Sequence, residues 1–127
     1  MSKKSVFMIA VLFFFTVYSV NATVTQTGSK APAMPDNVKA IIEKSCIGCH
    51  NTDSKNDKAK EALDMKTMES LSKQKMIHAL KEIGETLEEN EMPPAKFLEK
   101  FPDKKLTDAE KKILLDWASS ESKSLMK

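Results

Sequence analysis

The chain has 127 residues, of which 30% are charged and 41% hydrophobic, and its formal net charge is +2. That length suits a single domain. Every basic residue is a lysine, and the lack of arginine forks weighs against recognition of phosphate or nucleic acid.

Residues 1–22 read as a secretory signal peptide. Lys3 and Lys4 form a positive end, residues 6–20 are apolar except for Thr16 and Ser19, and Val20-Asn21-Ala22 offers a small-residue cleavage site. The apolar run is shorter than the ~20 residues that a membrane helix needs, so no stable membrane span is expected after cleavage. The expected destination is the periplasm, an exported and extracytoplasmic location. Cleavage lowers the 20 lysines to 18, against 18 acids. Phe97, Phe101 and Trp117 are then the only aromatic residues left.

Residues 23–35 are polar and small, with Gly28, Pro32 and Pro35, and are expected to form a flexible leader. The folded domain is expected over 36–127, with Asp36 as a helix N-cap. Val38, Ile41 and Ile42 recur at helical spacing, which predicts a first helix over 37–45 whose apolar face continues into Cys46. Residues 51–60 read as a polar loop, with a helical turn near 59–63. Met76, Ile77, Leu80, Ile83, Gly84 and Leu87 define a longer helix that stops near Asn90. Residues 91–106 read as a long loop. Thr107-Asp108-Ala109-Glu110 is a capping box that opens a last helix with Ile113, Leu114, Trp117 and Ala118 on its buried stripe. The fold class expected is all-α, without strands.

The chemistry is concentrated in Cys46-Ile47-Gly48-Cys49-His50. A C-x-x-C-H run is the attachment signal for c-type haem. Two thiols one helical turn apart can each add across a vinyl group on one porphyrin edge. The imidazole that follows can then reach the iron as proximal ligand. Gly48 is expected to leave room for backbone close to the ring. In bacteria covalent haem attachment takes place outside the cytoplasmic membrane, in agreement with the export signal. A domain of about one hundred residues with three aromatics is marginal on surface-to-volume grounds, and a buried porphyrin would add the missing apolar mass. Three alternatives stay open at this point: a disulfide, a redox dithiol, or a zinc site drawing on Cys46, Cys49, His50 and His78.

For the sixth iron position the sequence offers Met92, which is followed by Pro93 and Pro94. A residue before proline is biased to extended backbone, and two prolines stiffen the loop. A soft thioether suits haem iron. His78 is the rival ligand, while Met65, Met68 and Met76 lie on or near helical patterns and read as core filler. Lysines gather around the motif and glutamates before Met92. Solvated faces account for them, although such asymmetry could also orient a redox partner protein.

Taken together, Lys44-Ser45-Cys46-Ile47-Gly48-Cys49-His50-Asn51, Glu91-Met92-Pro93-Pro94 and Leu106-Thr107-Asp108-Ala109-Glu110 resemble the haem-binding-domain proteins of bacterial exported cytochromes, which are small mono-haem c-type cytochromes. The resemblance implies a cytochrome c-like helical domain around one covalent haem c. Cys46 and Cys49 would carry the thioethers, with His50 and Met92 on the iron. It implies a periplasmic single-electron carrier rather than an enzyme. A haem-based sensor with an open or labile sixth position is the alternative.

Overall fold

The computed structural model describes residues 33–127. The expected signal peptide and the leader up to residue 32 lie outside the described residues. Among the described residues there are five α-helices and no strand, so the domain is all-α as expected.

Helix α1 (Asp36–Ser45) buries Val38, Ile41 and Ile42. Its N-cap is Pro35, which offers no side-chain cap, and Asp36 is the first helical residue instead of the expected cap. An acid in the first turn still favours the helix dipole. Helix α2 (Asp57–Ala62) fills the second half of the expected polar loop and extends the single turn expected at 59–63. The Asn56 side chain causes the early start by accepting from the Ala59 N–H at 3.1 Å. A 3-10 turn (Met68–Ser70) follows and buries Met68.

Helix α3 (Lys73–Glu88) is capped by Ser72 and buries Met76, Leu80 and Leu87. Asn90 takes a left-handed φ of 58° and turns the chain away, as its expected role as a stop requires. The expected loop over 91–106 is partly helical. The Pro94 carbonyl accepts from the N–H groups of Phe97 and Leu98 at 2.9 and 3.1 Å, which opens α4 (Ala95–Lys100). A 3-10 turn (Pro102–Lys104) leads to α5 (Asp108–Met126), where both halves of the Thr107–Glu110 capping box are formed.

The main packing is α3 against α5, with α1 also seated on α5. One buried cluster joins Val38, Ile41, Ile42, Leu87 and Leu114, and a second joins Met68, Met76, Leu80, Ala118 and Leu125. Both are aliphatic throughout. Met34, at the end of the expected leader, packs against both clusters. By contrast, α4 packs mainly on the 3-10 turn that follows it. Lys44 Nζ ties α1 to the start of α5 through the Glu110 carboxylate at 2.7 Å. No helix among the described residues is long and apolar enough to cross a membrane.

Candidate functional site

The turn after α1 shapes the motif. Cys46 is the C-cap of α1, and its carbonyl accepts from the N–H groups of Cys49 and His50 at 3.1 and 3.0 Å. This helix-like turn keeps the two thiols and the imidazole together. The Asn51 side-chain amide donates to the Ile47 carbonyl, and Asn51 Oδ1 accepts from Asp53 N–H at 2.9 Å. Gly48 is exposed within this turn, and a Cβ placed there meets no protein atom within 4 Å.

Cys46, Cys49 and His50 line a cavity of about 1300 Å3, larger than the ~300–1,000 Å3 of ordinary small-molecule sites. Met92 lines the same cavity. So do Phe97, Phe101 and Trp117, the three aromatics outside the expected signal peptide. They face the cavity instead of the aliphatic clusters, although Trp117 also touches both clusters. Phe101 is 47% exposed and Met92 38%, unusual values for large apolar side chains at a cavity.

The His50 ring is held in one orientation. Nδ1 lies 3.0 Å from the Leu63 carbonyl oxygen. A carbonyl can only accept, so Nδ1 carries the proton and Nε2 keeps its lone pair free to bind a metal. The neighbouring Met65 N–H donates to the His50 carbonyl at 3.0 Å. Leu63, Met65 and Ser45 also belong to the cavity wall, and sequence reasoning missed all three in that role. The Leu63 partner is a backbone atom, so no side-chain signal could have marked it.

Ser45 gives an independent indication of what this wall can receive. Its Oγ is buried on this wall and has no hydrogen-bond partner. Such orphans are uncommon in folded proteins and call for a group to satisfy them. An apolar cavity, two thiols, an imidazole with a free Nε2 and one orphaned hydroxyl together fit a porphyrin.

His78 also reaches the cavity wall, but its side chain is 76% exposed and stands 4.0 Å from Glu82, which is exposed on the same wall. Met68 and Met76 are core filler, as expected, whereas Met65 is half-buried between core and cavity. Burial pushes the Cys46 thiol up to about 11, with the neighbouring Cys49 adding to the rise. Both cysteines are free thiols. A thiol held protonated at neutral pH is a poor redox nucleophile, which weighs against a dithiol pair. The zinc alternative also fares badly, since among the described residues no three His, Cys, Asp or Glu side chains converge as a metal cage.

The family model of the haem-binding domain matches residues 54–120, more than half of the chain.

The chain belongs to the haem-binding domain family.

The matched span begins just beyond His50 and includes Leu63, Met92, Phe97, Phe101 and Trp117. This haem-binding domain thus shares with its family most of the cavity wall, while the C-x-x-C-H turn precedes the match. No curated protein and no solved structure matches the chain.

Proposed function

We propose that this haem-binding domain is an exported c-type cytochrome that carries single electrons in the periplasm. The observation that carries the reading is the shared cavity, where the two thiols and the oriented imidazole of the motif meet every aromatic of the domain. Cys46 and Cys49 would hold the group by thioethers, each thiol adding its sulfur to one vinyl carbon and its hydrogen to the other. His50 would offer Nε2 to the iron, and Met92 would offer its sulfur. When bound, haem supplies a one-electron couple at its iron. The protein excludes water with Phe97, Phe101 and Trp117 and meets a redox partner through its charged surface. Of the groups on the wall able to move a proton, Glu61, His78 and Glu82 are exposed and Asp64 accepts from Thr52 and Lys66, and no catalytic residue is assigned.

One observation favours a second reading. Met92 is exposed and is followed by α4, which packs mainly on its own succeeding turn. A ligand held so lightly could yield to a small gas, as a haem-based sensor requires.

The test is covalent attachment. Protein produced with haem maturation machinery should keep its pigment through denaturing electrophoresis and acid–acetone extraction. The double variant Cys46→Ser, Cys49→Ser should release it. Wild-type protein that loses its colour on extraction rules out thioether attachment.

A further inference from the structure

Two arms of chain meet beside His50, residues 50–53 and residues 63–66. Four links join them in a row, from cavity to solvent. His50 Nδ1 donates to the Leu63 carbonyl at 3.0 Å, and Met65 N–H donates to the His50 carbonyl at 3.0 Å. Thr52 Oγ1 donates to Asp64 Oδ2 at 2.6 Å. Lys66 Nζ then pairs with the Asp53 carboxylate at the exposed end. Asp64 also braces its own arm, because its other oxygen accepts from Lys66 N–H at 2.9 Å while its carbonyl accepts from Thr67 N–H at 3.2 Å. The carboxylate therefore fixes the turn that presents the Leu63 carbonyl to the imidazole.

We propose that Asp64, through Thr52, is a positioning residue that holds the Leu63 carbonyl on His50 Nδ1 and so sets the donor strength of His50 toward iron. The proposal rests on His50 being the haem ligand. A firm Nδ1–H···O bond makes the imidazole more basic, which favours ferric iron and lowers the reduction potential. Loosening the Thr52–Asp64 link lets the carbonyl drift and weakens that effect. Thr52 is exposed in the segment between α1 and α2, so its replacement leaves the packed helices intact.

The experiment compares the holoprotein with Thr52→Val, Thr52→Ser and Asp64→Asn. Covalent pigment, reduction potential and the NMR signal of the His50 Nδ1 proton are measured for each. The expected result is retained pigment in all, with a raised potential and a faster-exchanging Nδ1 proton in Thr52→Val and Asp64→Asn. Thr52→Ser, which restores the hydroxyl, should stay at the wild-type potential. Pigmented Thr52→Val and Asp64→Asn proteins with wild-type potential and proton exchange overturn the proposal, as does a Thr52→Ser protein that shifts as far as Thr52→Val. Wild-type protein without covalent pigment instead overturns the haem c reading, and this proposal falls with it.

Discussion

At the scale of single residues, the cavity wall separates two candidate ligands. Met92 and His78 both reach it, but they differ in setting. The Met92 thioether lines the same cavity as Phe97 and Phe101, whereas the His78 side chain is 76% exposed beside Glu82. An apolar, soft donor in an apolar cavity suits haem iron better than a solvated imidazole. Met92→Ala is expected to remove the weak far-red sulfur–iron charge-transfer band of the ferric protein, open the site to carbon monoxide in the ferrous protein and lower the reduction potential. His78→Ala should change none of these. If His78→Ala alters them and Met92→Ala does not, the ligand pair is bis-histidine; if wild type already binds carbon monoxide readily, the sensor reading replaces the carrier. The residues with distinctive chemistry, Cys46, Cys49, His50 and Met92, were legible in the sequence because their side chains carry the signal. The Leu63 carbonyl and the Ser45 hydroxyl were not, because a backbone acceptor and a common serine acquire meaning only from where the fold puts them.

At the scale of helices, the joint between α1 and α5 is electrostatic as well as apolar. Glu110 closes the capping box on Thr107 and accepts from Lys44 across the joint. The Lys44 ammonium, followed by the Thr107 N–H, holds the Glu110 carboxyl below its usual 4.5. A carboxyl with a depressed folded pKa adds stability above its unfolded pKa and loses that contribution as pH falls through the folded value. Glu110→Gln keeps the box geometry but removes the ion pair. It should cost about 0.5–1 kcal/mol at neutral pH, as a part-exposed pair does. The gap between variant and wild type in urea unfolding should shrink once the pH drops below the ordinary carboxylate range. A gap that is unchanged in acid would show that the pair contributes nothing. The capping box and the α3 stripe could be read from sequence because each depends on neighbours within one or two turns. Helix α4 could not, since Pro93 and Pro94 signal a break, and the helix they start is only six residues long. The short α2 was legible only as a single turn near 59–63, since its composition is polar and no buried residue sets a period.

At the scale of the molecule, the division of apolar residues decides how folding depends on the cofactor. Ile42, Leu87 and Leu114 of the first aliphatic cluster also line the cavity, but no buried residue of the second, which lies within α3, α5 and the Met68 turn, does so, and that cluster does not need an occupant there. The aromatics and Met92 do, because they face the cavity. Full burial of such a side chain contributes about 1.5–3 kcal/mol, and covering the part that is still open on four of them contributes several kcal/mol in sum. That is a large fraction of a small domain's stability, typically about 5–15 kcal/mol. Protein made without haem should therefore keep the α3–α5 pair but lose order elsewhere. In hydrogen exchange, amides of α3 and α5 should stay protected, while residues 46–66 and 91–104 should exchange far faster than in the haem-loaded protein. Circular dichroism should show reduced helix and a lower melting temperature. Leu80→Ala, at a position 2% exposed in the second aliphatic cluster, should cost about 2–5 kcal/mol with or without haem, since none of that cluster's buried residues lines the cavity. Matching exchange patterns and melts for the two forms would show that the cavity is self-supporting and that the aromatics serve another purpose than enclosing a porphyrin.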